Sequence, residues 1–204
     1  MGHYSITIGR DFGSGGKEIA KIIAEKLNYT FYDDEILALA AKESGFSETL
    51  FEQHDEKHGH LHNLIFSKMP IIGQANYYSE QVTQSSLFKF QSEVILKAAN
   101  KGNCVFVGRG ADYILRNRPK IIKIFIYADM PYKIKRVMER EHISQEAARK
   151  LIVEKERSRA DYYNFYTGKT WGEKGSYDLC INTSELGVER TAEILINLIK
   201  YVTQ

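Results

Sequence analysis

Cysteine and proline are scarce in this chain of 204 residues, with two of the first and three of the second. The cysteines, Cys104 and Cys180, lie in separate apolar stretches. They give neither the density of a disulfide scaffold nor the close spacing of a zinc site, and read as small buried core residues of a reduced, cytoplasmic protein. The chain also has no low-complexity tract, repeat or linker, so one domain over residues 1–204 is expected rather than two in series. Long apolar runs are missing as well. None approaches the ~20 residues needed to cross a bilayer, and the N-terminus lacks the basic-then-apolar layout of a signal peptide. Nor is there an excess of one charge: 28 basic and 26 acidic residues leave a formal net charge of +2. That balance argues against nucleic acid or a membrane as the main partner, while leaving room for a local basic cleft; it says nothing of oligomeric state. What the chain does have is 43% apolar residues, thirteen tyrosines and ten phenylalanines. These are enough for a substantial core and suit a domain that holds a flat ligand.

Five short apolar runs, at residues 4–9, 29–32, 104–107, 121–127 and 178–181, read as buried strands. Helical patterns separate them. From Lys17 onward, Ile19, Ile23 and Leu27 recur on one face, with Ala20 and Ala24 beside them. Further helices are expected at 35–42, capped by Asp33 or Asp34, and at 90–100, with Gly102 as a left-handed stop. Another opens at Ala128-Asp-Met-Pro131, where proline suits a first turn. A charged helix is expected at 144–159, and a last one carries Val188, Ala192, Leu195, Ile199 and Val202 on one face. Residues 45–91 are polar, without a convincing strand, and read as a helical insertion into a core of 1–44 and 92–204. Strands alternating with helices predict an α/β domain with a five-stranded parallel sheet covered on both sides.

The sharpest local feature is the turn Gly9-Arg-Asp-Phe-Gly-Ser-Gly-Gly-Lys17 between the first strand and its helix. Gly13, Gly15 and Gly16 let backbone N–H groups point inward toward a phosphate. The helix N-terminus adds partial positive charge, and Lys17 a full one. The plainer alternative is a strand–helix turn that needs only glycine's conformational freedom. The usual phosphate-loop pattern is incomplete. Asp11 stands where it begins with glycine, Glu18 stands where a magnesium-binding hydroxyl follows the lysine, and the third strand ends in Val107-Gly108-Arg109 without an aspartate. Ser14 is left as the candidate hydroxyl for Mg2+.

With these residues in hand, the sequence resembles the cytidylate kinase-like family of P-loop kinases over nearly its whole length. The likeness rests on Phe12-Gly-Ser-Gly-Gly-Lys17, Phe31-Tyr-Asp-Asp34, Val107-Gly-Arg-Gly-Ala111, Ala128 with Arg136, Arg157-Ser-Arg-Ala-Asp161 and Tyr177-Asp-Leu-Cys-Ile-Asn182. It implies a three-layer αβα P-loop kinase fold, a helical acceptor-binding insertion and an arginine-bearing lid at about 142–176. It also implies transfer of the γ-phosphoryl of ATP, with Mg2+, to a nucleoside monophosphate such as CMP. Residue by residue, Lys17 matches the lysine on the donor phosphates, with Gly13, Ser14, Gly15, Gly16 and Glu18 around it. Arg109 matches an arginine that holds the acceptor's phosphate, and Arg136 one near the donor nucleotide. Arg157 and Arg159 match lid arginines, with Asp161 as an orienting partner and acceptor-binding candidate, and Asp33 matches an aspartate near the acceptor. Gly110 replaces the acid of the family's Gly-Arg-Asp, so a preference for CMP does not follow from this segment.

Several features keep two readings. Arg157 and Arg159 sit among charges of both signs that also suit a solvated helix face. The run 162–166, followed by Trp171, suits stacking on a base or packing of the lid onto the body. His54, His58, His60 and His62 fit a solvated helix end better than a metal site. Two other functions stay open besides a nucleotide kinase: a kinase of another small metabolite, and a nucleotide-binding regulatory module with little or no turnover.

Overall fold

The computed structural model describes residues 3–33 and 84–203. The helix expected at 35–42, nearly all of the insertion at 45–91 and the four histidines lie outside those residues. Five strands are present: β1 (Ser5–Arg10), β2 (Thr30–Tyr32), β3 (Cys104–Val107), β4 (Ile121–Tyr127) and β5 (Leu179–Asn182). All neighbouring pairs are parallel, in the order β2-β3-β1-β4-β5. The helices are α1 (Gly16–Leu27), α2 (Gln84–Lys101), α3 (Ala111–Ile114), α4 (Met130–Glu141), α5 (Gln145–Thr167) and α6 (Gly187–Thr203).

Side chains alternate across a strand, and the core divides accordingly. On one face Ile6, Ile8, Val105, Val107, Ile124 and Ile126 pack against α1 and α6, whose Ile19, Ile23, Ala192 and Leu195 are fully buried. On the other, Cys104 and Phe106 meet Ile95 and Ala99 of α2 and Leu115 after α3. A third group joins Ile134 and Val137 of α4 to Ala148 and Ile152 of α5. Sheet and helices thus form the three layers the sequence implies, and the C-terminal ends of β1 and β3 open toward the N-terminus of α1. No helix among the described residues is long and apolar enough to cross a membrane.

Four expectations need correction. Cys104 is buried, but Cys180 is only half-buried, because it lies on the edge strand β5. Gly102 is not in the left-handed region; helix α2 simply ends at Lys101, and nothing crowds the glycine. The helix expected at 90–100 begins at Gln84. The charged helix does not stop at Arg159 but runs unbroken to Thr167, from a Ser144 cap that accepts from the Ala147 N–H to a left-handed Gly168.

Candidate active site

The turn after β1 forms the floor of a cleft of about 470 Å³. Gly13, Gly15, Gly16, Lys17 and Glu18 line it, so the first turn of α1 opens directly into it, where unpaired N–H groups and the helix dipole favour an anion. Gly15 makes this turn possible. Its φ of 85° is costly for other residues, and a Cβ there would lie 2.6 Å from Val188 of α6. Arg10, Lys17, Arg109, Arg140, Lys155 and Arg159 border the cleft, against four carboxylates. The site therefore has a local positive excess inside a nearly neutral chain.

The Lys17 ammonium is ion-paired with Asp33, which is 3% exposed, and Arg10 lies 3.9 Å from the same carboxylate. Arg109 is almost fully buried and stands in the middle of three consecutive left-handed residues, Gly108, Arg109 and Gly110, with φ of 70°, 59° and 65°. That backbone is held from α2: the Gln91 amide donates to the Arg109 carbonyl and to the Tyr162 hydroxyl, both at 2.8 Å. Arg159 reaches the cleft from α5 and donates from Nη1 to the Arg10 carbonyl at 3.1 Å. Lys17, Asp33, Arg109 and Arg159 are thus brought together.

Others in the predicted set are not. Arg157 points away on the exposed face of α5, 3.9 Å from Asp161, and neither borders the cleft. The helical turn dictates this, since residues two apart face different directions. Ser14 is fully buried; its hydroxyl donates to the Asp11 carbonyl at 3.0 Å inside the loop, so it is not presented to a metal ion. Arg136 stays beside the loop, bonded to Glu18.

Behind the loop lies a charge cluster with no local sequence signal. Lys133 of α4 is 6% exposed and bridges Glu156 of α5 at 2.7 Å and Asp11 at 3.2 Å. Burial alone would push its amine down, but the two carboxylates outweigh that and raise it. Burial raises Glu156, against the opposing pull of Lys133. On the β3 side, Tyr163 of α5 donates to Asp112 at 2.6 Å. Burial raises the Asp112 carboxyl, partly offset by that hydrogen bond, and raises Tyr163 as well.

Most of the aromatic run packs, although Phe165 stands 71% exposed. Phe88 stacks on Tyr166 at 4.3 Å, Trp171 meets Phe125 edge-on, and burial pushes the Tyr166 hydroxyl up to about 12.

The carboxylates nearest the loop are, among the described residues, ion-paired rather than gathered around a metal position. Among the described residues no three His, Cys, Asp or Glu side chains are arranged for one. Asp11, Glu18 and Asp33 are each engaged by a cation, Lys133, Arg136 and Lys17 respectively.

Sequence reading overlooked Arg10, Arg140, Lys155, Lys133, Gln91 and Asp112. Two of these had a visible signal. Arg10 is the second residue of the quoted turn, and Arg140 follows Arg136 by four residues, one helical turn further along the same face.

Comparison with known proteins bears on the family and the fold. A cytidylate kinase from Pyrococcus horikoshii is 30% identical over 186 residues, covering 90% of this chain and 82% of that one. A crystal structure of an uncharacterized protein from Eubacterium ventriosum superposes with a TM-score of 0.73 at 30% identity, over 97% of this chain and 99% of the other. Shikimate kinase from Bacteroides thetaiotaomicron shares the fold at 14% identity, with a TM-score of 0.53 over 97% and 98% of the two chains. The family model described as "Cytidylate kinase-like family" matches residues 5–185, and the chain belongs to that family.

Proposed function

We propose that the protein transfers the γ-phosphoryl group of ATP to a nucleoside monophosphate, with CMP or a similar pyrimidine nucleotide as acceptor, in the cytoplasm. The observation that carries this reading is the cleft itself: a glycine turn and helix N-terminus face six basic side chains at the ends of parallel strands. Ligands of open α/β sheets collect at such a position.

On this reading the donor's phosphates lie along Gly13–Lys17, and Lys17 exchanges Asp33 for them. Arg109 holds the acceptor's phosphate from the opposite wall. An acceptor phosphate oxygen attacks the γ-phosphorus in line as the bond to the β,γ-bridging oxygen breaks, leaving the electron pair on ADP. Arg159 offsets the charge gathering on the transferring group, and its fork of N–H donors suits that. Magnesium, bound to the nucleotide's own phosphates and water, would supply further charge neutralisation. Asp33, once released by Lys17, is placed to orient the acceptor.

ATP binding by calorimetry and ADP release across the common nucleoside monophosphates test this reading. ATP binding with turnover on CMP or UMP supports it, and Lys17→Ala should abolish both. ATP binding without turnover on any acceptor would favour a regulatory module, a reading that Glu18 in place of the metal-binding hydroxyl supports. Turnover only with a sugar or coenzyme precursor would move the activity to another metabolite.

A further inference from the structure

Phe12 sits at the tip of the turn between β1 and α1, and its ring borders the cleft. It is seated on the apolar group that α4 and α5 share, including Ile134, Val137 and Ile152. Two guanidinium groups lie over it. The Arg140 carbon, from the last turn of α4, is 4.8 Å from the ring centroid, and the Arg159 carbon, from α5, is 5.5 Å away. Both arginines border the same cleft.

Two cations from separate helices lie near one ring, and its π-electrons attract both. A guanidinium lying over a ring also keeps its in-plane N–H edges for oxygen acceptors, which an ammonium cannot do. The ring belongs to the phosphate loop, so the loop fixes where the two arginines stand relative to its own glycines. An aliphatic side chain would fill the same seat without either electrostatic effect.

We propose that Phe12 is a positioning residue, holding Arg140 and Arg159 so that both address the polyphosphate of a nucleotide bound in the loop. This rests on the donor site assigned under the proposed function. Phe12 touches no reacting atom in this scheme; it acts through the arginines.

The test is a pair of double-mutant cycles on ATP affinity, measured by calorimetry at low ionic strength with thermal stability recorded for every variant. Phe12→Leu should weaken ATP binding about tenfold, in line with two cation–π contacts, and Phe12→Trp should restore most of it. In the Arg140→Met or Arg159→Met background, where one contact is already gone, the cost of Phe12→Leu should drop by about threefold. An equal cost in all backgrounds, or a Trp variant as weak as Leu, overturns the assignment and leaves Phe12 a packing residue. Wild-type protein that takes up neither ATP nor inorganic tripolyphosphate would instead overturn the nucleotide reading, and the Phe12 role with it. Intact wild-type binding with additive variants removes the Phe12 role alone.

Discussion

Replacing Lys133 by methionine tests whether the loop and the long helix α5 are joined by charge. The substitution keeps an unbranched stem and removes the ammonium that Asp11 and Glu156 share. All three side chains are at least 80% buried, with 7%, 15% and 20% exposure. At an effective dielectric of about 20, the contacts at 2.7 and 3.2 Å correspond to gross attractions of about 6 and about 5 kcal/mol. Withdrawing the groups from water offsets most of that, but removing one partner of a buried cluster leaves charge uncompensated and costs about 3–5 kcal/mol. Urea unfolding followed through Trp171, the single tryptophan, should show this loss near pH 8.

The pH dependence is the sharper part. In the variant Glu156, already raised by burial, loses the opposing pull of Lys133, so its proton uptake restores stability as the pH falls and the gap to wild type narrows toward acid. In wild type the raised Lys133 amine contributes stability below its ordinary value and loses it only as the pH rises through the folded value. Adding Asp11→Asn and Glu156→Gln to Lys133→Met should recover most of the loss at pH 8. A difference under about 1 kcal/mol at that pH, the range of an exposed pair, or one that ignores pH, refutes the argument.

Three further outcomes are expected. Gly15→Ala forces a Cβ into a left-handed position and against Val188, so thermal unfolding should report a loss of at least about 1–2 kcal/mol; an unchanged Tm would contradict the loop geometry. Asp112 has a raised carboxyl, so ionising it costs stability as the pH climbs through that value. Asp112→Asn should therefore gain on wild type from acid toward neutral pH, and parallel stability–pH curves would count against a buried acid there. Arg159→Ala should lower kcat by about 10³-fold if it acts as arginine fingers do, whereas Arg157→Ala on the exposed face should change it by less than about twofold. Equal effects would mean that α5 presents a different side to the nucleotide.

The strands and the glycine turn before α1 were legible because both are local. Each strand run falls within a residue of its observed bounds, and Ile19, Ile23 and Ala24 announce the buried face of α1. The extent of α5 was hidden because Tyr162 to Tyr166 invites a ligand-stacking reading. Tyr163 and Thr167 in fact continue the buried face begun by Ala148 and Ile152. The Asp11–Lys133–Glu156 cluster joins Asp11 to Lys133, 122 positions away, and Lys133 to Glu156, 23 further on, and nothing near any of them signals the others. Ser14 shows the reverse problem. Its hydroxyl looks like a metal donor in sequence, but turn geometry directs it to the Asp11 carbonyl. Strand order likewise depends on how crossovers pack, which no single segment encodes.

Helix α5 has 23 residues and contains neither glycine nor proline, the usual sites of a kink. At 1.5 Å per residue it is a rod of about 35 Å. Its far portion is fastened to the β3 side at Tyr162 and Tyr163, while Glu156 and Arg159 grip the loop nearer its middle. It therefore has no internal joint of that kind, and the residues that meet the loop and those that meet the β3 side sit on one unbroken rod. On the proposed function, a shift of α5 on engaging a nucleotide at Arg159 would be felt at Tyr162, whose hydroxyl shares the Gln91 amide with the Arg109 carbonyl.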